Sequence, residues 1–318
     1  MRASLCYLFV MSPLTNFRRM PFSMKVGRLS TVGALAVSAL VGVAGLGVGQ
    51  SPAGAASGSG SVTVLSAGSL QTLMQSDVAP AFLSATGYTL NDISEGSTAI
   101  ASSIKAGTQV GDVFISASPA VNATLEDSAN GDWVSWYGTF GQSPLLLGYN
   151  PKSSFAHALK TEPWYDVVGQ PGFRLGRTDP TTDPKGVLAV NALTAAAKKY
   201  EKPALLAQTT STTDVYSETS LLGELQAGQL DAGFFYGVEA AAAGLKTTVP
   251  ITGVPKQEAA YTITILNKAP DETAAVAFVK FLLGKKGQEI LKQNGITPVV
   301  PPQVTGKAHV PATLKGTL

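Results

Sequence analysis

Apolar and polar residues alternate along the chain in short blocks that predict strands followed by helices. A β-branched, apolar block at residues 62–66 is typical of a buried strand, and apolar residues recur at helical spacing over residues 70–78. Further strand candidates lie at residues 88–93, 111–116, 140–149, 173–176, 231–236 and 261–266. Because helical patterns separate most of these blocks, the sequence favours an α/β fold with mostly parallel sheets.

Three longer helical patterns occur in the second part of the chain. An alanine-rich pattern covers residues 187–200, leucines recur at helical spacing within residues 217–230, and residues 274–291 form the clearest amphipathic pattern. In the last of these, three lysines fall on the polar face, as expected of a helix that packs on one side only. We therefore predict a single continuous helix over residues 274–291.

Four strand-to-helix turns place polar residues where strands are predicted to end. Ser69 and Ser97 follow the first two strands, Asp183 and Lys185 follow a later one, and Tyr236 ends another. In α/β sheets, ligands bind beyond the carboxyl ends of the strands, where helix N-termini converge. One serine at such a turn is ordinarily only a helix cap, but four turns of this kind, with no charged cluster expected among them, predict a binding site.

The loop with the most distinctive sequence covers residues 176–186 and reads GRTDPTTDPKG. Its two Asp-Pro pairs make it rigid, because proline fixes its own φ and restricts the residue before it. Pro184 occupies the first position of the predicted helix, with Asp183 as the N-cap. The loop therefore presents backbone N–H groups at a helix start, which is a favourable place for an anion.

The N-terminal segment differs in composition from the rest of the chain. It carries five basic residues and no acidic residue, followed by a small-residue, apolar stretch at residues 32–49. A basic head, an apolar core and an exit around Ala53 and Ala55 predict a secretory signal peptide over residues 1–58, with Met24 as an alternative start. The other interpretation is a retained membrane anchor. Cleavage would leave a soluble, exported protein, periplasmic or extracellular.

Removal of this segment changes both the charge and the chemistry that is available. The full chain has 23 basic and 21 acidic residues, so the remainder would have 18 against 21, a net charge of about −3. A basic surface for nucleic acid is therefore not expected. Cys6, the only cysteine, lies in the removed segment, and His157 and His309 are the only histidines. These counts exclude thiol chemistry, a multi-histidine metal site and a histidine-dependent triad.

Hydroxyls and backbone N–H groups without a surrounding set of basic side chains suit a compact, fully ionised anion. A hydrogen bond to a charged group contributes about 1.5–3 kcal/mol, and helix N-termini add partial positive charge. A site made only of donors would also disfavour a protonated anion, whose hydrogen would find no acceptor. Molybdate, tungstate and sulfate fit this description better than protonated phosphate.

The motifs resemble those of the substrate-binding proteins of ABC importers, specifically the molybdate/tungstate-binding group. The loop at residues 176–186 is similar to the GRSDPxxDPxG loop of archaeal-type tungstate/molybdate binders. The block at residues 226–236, QAGQLDAGFFY, and the ETSLL sequence that begins at Glu218 match a second family block. Shorter matches lie at residues 67–70, 95–98 and 112–116, so the resemblance covers about residues 62–298.

The resemblance implies a two-lobe periplasmic-binding-protein architecture, α/β in class, with a mostly parallel sheet flanked by helices in each lobe and a hinge between the lobes. Lobe 1 is expected to start with residues 60–143, lobe 2 to cover residues 144–255, and residues 256–318 to return to lobe 1 and form the tail. The protein is expected to be a monomer that binds molybdate or tungstate and delivers it to an ABC transporter permease, with no enzymatic activity and no cofactor.

The resemblance also implies a set of oxyanion-binding residues. Ser69 and Ser97 would supply hydroxyls and N–H groups from lobe 1, Lys185 and Glu218 would supply backbone N–H groups from lobe 2, and Tyr236 would supply its hydroxyl.

Coordination of the bound metal is where the sequence departs from some members of the group. Those members place two carboxylates near the metal; Asp183 matches one, and the other falls at Phe235. We therefore expect a tetrahedral anion held by hydrogen bonds, with Asp183 either capping a helix or touching the ligand. Sulfate, another anion or a small organic solute stays open as the ligand, and an exported hydrolase is disfavoured since the chain has no GxSxG motif.

Overall fold

The computed structural model describes residues 60–318 of the chain. The predicted signal peptide over residues 1–58 lies outside the described residues. Ten strands are described. Their bounds are β1 Gly60–Ala67, β2 Tyr88–Glu95, β3 Val113–Ser116, β4 Tyr137–Tyr149, β5 Leu175–Thr178, β6 Val215–Tyr216, β7 Ala232–Tyr236, β8 Thr248–Pro250, β9 Glu258–Ile265 and β10 Thr297–Thr305.

Twelve α-helices connect and flank these strands in the described part of the chain. Their bounds are α1 Gln71–Leu73, α2 Ala79–Thr86, α3 Ser97–Lys105, α4 Pro119–Ala123, α5 Ala156–Thr161, α6 Trp164–Val167, α7 Pro184–Lys199, α8 Ala204–Thr210, α9 Leu221–Gln226, α10 Gly237–Ala242, α11 Glu272–Leu283 and α12 Lys285–Gln293. A 3₁₀ turn at Gly68–Leu70 precedes α1. Within residues 60–318, none of the helices has both the length and the apolar character needed to cross a membrane.

The strands form one curled, mixed sheet in the order β2-β1-β3-β9-β4-β7-β5-β6, and β8 and β10 also pair with β4. Pairing is parallel where β1 meets β2 and β3, and again where β5 meets β6 and β7. We call the strands on the β1 side the first half of the sheet and those on the β7 side the second half. The α/β class predicted from the alternation of strands and helices is confirmed.

β4 connects the two halves of the sheet. Its first part pairs with β9 and β10, and its second part pairs with β7 and β8. The change of partner falls between Pro144, which pairs with Glu258, and Leu145, which pairs with Tyr236. β4 is therefore one continuous strand that joins the first half of the sheet to the second half.

The single helix predicted over residues 274–291 is wrong, because the structure has two helices there. α11 ends at Leu283 and α12 begins at Lys285, with Gly284 in an extended conformation at φ −75° and ψ 174°. Each helix buries its own apolar residues, including Phe278 and Leu282 in α11 and Ile290 in α12. The spacing of apolar residues thus stays helical on both sides of Gly284, which is why the sequence alone predicted one helix.

Candidate functional site

Asp183 starts α7 as its N-cap, and Pro184 is the first helical residue, as the sequence predicts. The Asp183 Oδ1 atom accepts a hydrogen bond of 2.9 Å from the backbone N–H of Lys185. Asp183 is 2% exposed, and its Oδ2 atom is buried with no hydrogen-bond partner among the described residues. In this structure the capping carboxylate therefore occupies the Lys185 N–H, and the binding of a ligand by that N–H stays a prediction.

The side chain of Lys185 is completely buried, although the sequence singled out only its main chain. Its Nζ atom lies 2.6 Å from Glu239 Oε1 and 3.4 Å from Glu218 Oε1. The same ammonium lies 5.7 Å from the ring centroid of Phe235 and 5.8 Å from that of Tyr236. No charged cluster was expected at this site, and that expectation is wrong. The Lys185 ammonium lies beside two aromatic rings and forms ion pairs with two glutamates.

Glu239 is a site residue that the sequence analysis missed. It is the third residue of α10, and its Oε2 atom accepts a hydrogen bond of 2.7 Å from the backbone N–H of Tyr236, the N-cap of that helix. A glutamate three residues after an N-cap commonly turns back in this way. That spacing was the available signal, and it would have placed a carboxylate beside Tyr236.

Glu218 lies in the loop between β6 and α9, and its side chain is 1% exposed. Both carboxylate oxygens are buried without a hydrogen-bond partner among the described residues. A Cβ atom added to Gly68 would lie 2.7 Å from Glu218 Oε2, so this carboxylate lies directly against the backbone turn that carries Ser69. The structure thus places the Glu218 side chain at the predicted site, where the sequence analysis expected its main chain.

Tyr236 ends β7 with a fully buried side chain, and its hydroxyl has no hydrogen-bond partner among residues 60–318. The preceding residue, Phe235, lies on the other face of the strand and packs with Leu221, Leu225 and Leu230. This alternation follows from the two-residue period of a β-strand. Phe235 therefore does not occupy the space around the Tyr236 hydroxyl, on which the charges of Asp183, Glu218 and Glu239 act instead.

Ser69 and Ser97 are both buried at the ends of the first-half strands. Neither caps a helix with its side chain, although a serine at such a turn ordinarily does. The Ser69 hydroxyl lies 2.9 Å from the hydroxyl of Tyr261, and Ser97 Oγ accepts a hydrogen bond of 3.1 Å from the backbone N–H of Ala117. Because Ser97 accepts this bond, its own hydroxyl hydrogen is free to donate elsewhere.

Residues from the two halves of the sheet meet at this point. The backbone N–H of Ala99 donates a hydrogen bond of 3.0 Å to the carbonyl of Thr182. A Cβ atom added to Gly96 would lie 2.5 Å from the same carbonyl and 3.1 Å from Asp183 Cβ. An adjoining cavity of about 420 Å³ is lined from both sides, with Gly96 on one and Asp183 and Glu218 on the other. Of the predicted site residues, Asp183 and Glu218 thus line this cavity, and Lys185 adjoins it through its contact with Glu218.

The electrostatics of the site are dominated by burial. Burial raises the pKa of Glu218 well above its ordinary 4.5, and the negative charge of Asp183 raises it further, while Lys185 lowers it. Burial also raises the pKa values of Asp183 and Glu239, against the opposing effect of Lys185. Burial alone would lower the pKa of Lys185, but the carboxylates of Glu239, Glu218 and Asp183 outweigh it, so that pKa is raised. The lysine is therefore a fixed cation beside three carboxyl groups, and burial disfavours the ionisation of all three at once.

The Tyr236 hydroxyl remains a hydrogen-bond donor throughout the neutral range, because burial raises its pKa well above 10. Thr178, at the end of β5, contributes another buried hydroxyl without a partner among the described residues. Together with Ser97, these groups offer donors to a ligand, while Asp183 and Glu218 offer acceptors. His157 and His309, which the sequence analysis set aside, are both exposed.

Two α/β lobes around a cleft lined with unpartnered polar groups are the architecture expected of a solute-binding protein. Residues 62–297 match the family model described as bacterial extracellular solute-binding protein. The chain belongs to this family, as the sequence motifs indicated.

Relatives with similar sequences include two archaeal proteins. One, from Haloferax volcanii, is named as a candidate molybdenum-binding protein of an ABC transporter, and it is 32% identical over 211 residues, 65% of this chain and 63% of that protein. The other, the molybdate/tungstate-binding protein of Pyrococcus abyssi, is 26% identical over 235 residues, 58% of this chain and 68% of that protein. The chain thus spans less than two thirds of the Haloferax protein.

Solved structures support the fold. The periplasmic molybdate-binding protein of Azotobacter vinelandii matches with a TM-score of 0.59 at 20% identity, covering 76% of this chain and 99% of that one. The sulfate-binding protein SubI of Mycobacterium tuberculosis matches with a TM-score of 0.55 at 18% identity, covering 76% and 88%. The two-lobe binding-protein architecture is therefore confirmed, and these likenesses concern the fold alone.

Proposed function

We propose that this protein captures molybdate or tungstate between its two lobes and delivers it to the permease of an ABC transporter. The observation that carries the proposal is the convergence of buried polar atoms from Tyr236, Thr178, Asp183 and Glu218 at one cleft, unpartnered among the described residues. Buried polar atoms are normally hydrogen-bonded, so a group of them at one place is expected at a ligand site. The names of the sequence relatives favour a group 6 oxyanion as that ligand.

The proposal extends to the parts of the chain that would move and to where the protein works. Residues 60–143 and 256–318 would form lobe 1 and residues 144–255 lobe 2, with β4 and the segment between β8 and β9 crossing between them. Such lobes close on a ligand by hinge motion. An exported protein, freed of residues 1–58 and acting as a monomer, would then present the closed form to its permease.

Isothermal titration calorimetry against molybdate, tungstate, sulfate and phosphate tests this function. We expect saturable binding of molybdate or tungstate at micromolar concentration or below, with sulfate and phosphate much weaker. Thermal denaturation with the same anions gives an independent measure, since a ligand that binds only the folded state raises the melting temperature. Tight binding of sulfate or of an organic solute, with no response to molybdate or tungstate, would contradict the proposal.

A further inference from the structure

The cleft contains hydrogen-bond acceptors that nothing in the described protein satisfies. Asp183 Oδ2 and both carboxylate oxygens of Glu218 are buried and receive no hydrogen bond within residues 60–318. The nearest cation is Lys185 Nζ, which lies at ion-pair distance from Glu218 but makes its shorter contact, 2.6 Å, with Glu239. The unpartnered Thr178 hydroxyl faces Asp183 and can donate to it. Glu218 Oε2, in contrast, has neither a hydrogen bond nor an ion pair within residues 60–318, so a ligand is the natural source of its donor.

The charged groups around the Glu218 carboxylate do not favour the binding of a bare dianion. Asp183, Glu218 and Glu239 are three carboxyl groups, Lys185 is one ammonium, and the hydroxyls of Tyr236 and Tyr261 are uncharged donors. A bare dianion would add two negative charges to this buried set. Uncompensated charge in a buried site is costly, and carboxyl groups in such surroundings take up protons instead. A proton is therefore the simplest species that removes both the excess charge and the unmet acceptors.

We propose that the site binds its oxyanion together with at least one proton, which is held between an oxygen of the anion and the carboxylate of Glu218 or Asp183. This inference rests on the proposed function. The proton comes from solvent, and no bond of the anion breaks. The shared hydrogen gives one of the unpartnered carboxylate oxygens its hydrogen bond, and it makes the net charge of the complex less negative by one unit.

The arrangement assigns Glu218 a part in specificity. Sharing a proton favours anions whose oxygens are basic, and sulfate is less basic than molybdate, tungstate or phosphate. Lys185 is a positioning residue in this scheme, because its ammonium lies between Glu239 and Glu218 and fixes the place of the Glu218 carboxylate at the cleft. The donor-only site expected from the sequence would have disfavoured protonated anions, and the two carboxylates reverse that preference.

Calorimetry of the full chain with sodium molybdate, at one pH near 8 and in two buffers of different ionisation enthalpy, counts the protons exchanged. We expect an uptake of about one proton for each anion bound, and an affinity that falls by up to about tenfold for each pH unit between 7 and 9. Glu218→Gln should reduce the uptake and flatten the pH dependence. The matched control is Glu162→Gln, which alters an exposed glutamate and should leave both unchanged.

The proton count is obtained on the unmodified protein, so it does not depend on the folding of a variant. Binding of molybdate without proton exchange, at an affinity that does not change from pH 7 to 9, would overturn the inference and leave the proposed function intact. Absence of molybdate and tungstate binding at every pH would instead contradict the proposed function, and the inference with it.

Discussion

At the scale of single residues, the Tyr236 hydroxyl gives the sharpest test of the site. It is buried without a partner among the described residues, so it destabilises the ligand-free protein and is available to the ligand. We expect Tyr236→Phe to raise the stability of the ligand-free protein by about 1 kcal/mol and to weaken oxyanion binding roughly 10- to 100-fold, because a hydrogen bond to a charged group is lost. Thermal denaturation and calorimetry measure the two effects.

Tyr261 provides the contrast for that experiment. Its hydroxyl is already bonded to Ser69 at 2.9 Å, so Tyr261→Phe should lower the melting temperature where Tyr236→Phe raises it. Equal losses of stability in the two variants would contradict the unpartnered state of the Tyr236 hydroxyl, and unchanged affinity in Tyr236→Phe would remove that hydroxyl from the binding site.

The pKa of Glu218 makes a second residue-scale prediction. Because burial raises this pKa in the folded protein, the folded state binds the Glu218 proton more tightly than the unfolded state does. The associated stability is fully present below the ordinary value of 4.5 and is lost as the pH rises through the raised value. Glu218→Gln cannot ionise, so at pH 8 the ligand-free variant should melt on the order of a few degrees above the wild type.

Melting curves of both proteins between pH 4.5 and pH 8 check this expectation. The difference should shrink as the pH falls, because Glu218 is then protonated in both states of the wild type. A variant that is less stable than the wild type at pH 8, or a difference that does not change with pH, would show that the Glu218 carboxylate is stabilising in its ionised form.

The sequence could predict contacts within the site only between residues that are close together along the chain. Asp183, Pro184 and Lys185 are neighbours, so the helix cap followed directly from their order. The contact of Lys185 with Glu239 joins residues 54 positions apart, and no local pattern encodes it. The type of each site residue was therefore predictable, whereas the partner of each side chain required the fold.

At the scale of secondary structure, the loop at residues 176–186 is fixed by close backbone contacts. A Cβ atom on Gly186 would lie 2.6 Å from both the nitrogen of Pro180 and the carbonyl oxygen of Thr178. The start of α7 therefore packs against its own preceding loop with no room for a side chain. Gly186→Ala should displace the loop, lower the stability by about 1–3 kcal/mol and weaken anion binding, because Asp183 and Lys185 move with it.

Gly223→Ala is the matched control for that loop. Gly223 lies in α9 and has open space where a Cβ atom would be. Alanine is favoured over glycine within a helix by about 0.5–1 kcal/mol, so this variant should be as stable as the wild type or more so. Chemical denaturation of both variants measures the difference, and a Gly186→Ala protein as stable and as tight-binding as the control would show that the loop adapts without cost.

The elements that the sequence predicted are those with a strong local pattern. β1, β3 and β7 are apolar runs and were found within a few residues of their observed bounds. β10 was missed because it contains Pro298, Pro301 and Pro302, which cannot donate hydrogen bonds within a sheet. Such a strand is tolerated because β10 pairs with β4 alone and therefore lies at an edge.

At the scale of the whole molecule, the two-lobe fold was predictable because its motifs are sequential, but the approach of the lobes was not. The contacts across the cleft join Gly68 to Glu218 and Gly96 to Thr182, which are far apart in sequence. Both glycines stand at strand-to-helix turns of the first half, where a side chain would meet the opposite half. Glycine is thus required at these positions by the contact between the two halves, and the conformation of the turn itself does not reveal that requirement.

Gly96 offers a direct test of lobe closure. A Cβ atom there would lie 2.5 Å from the Thr182 carbonyl, so Gly96→Ala should hold the two lobes apart at the point where Ala99 bonds to Thr182. Molybdate affinity should fall at least about tenfold, since partial closure forfeits one or more charge-assisted hydrogen bonds. The stability of the ligand-free protein should change little, because neither lobe's core is altered. Small-angle X-ray scattering should show compaction by molybdate in the wild type and less in the variant.

The control for closure is Gly316→Ala, which adds the same methyl group in open space near the C-terminus. This variant should bind molybdate and compact as the wild type does. If Gly96→Ala also compacts fully and retains its affinity, then the contact between Gly96 and Thr182 does not limit closure, and the ligand is held without close approach of the lobes at this turn. If instead affinity falls while compaction is retained, the methyl group disturbs Ser97 locally. Scattering and calorimetry together therefore separate a closing contact from a ligand contact at adjacent residues.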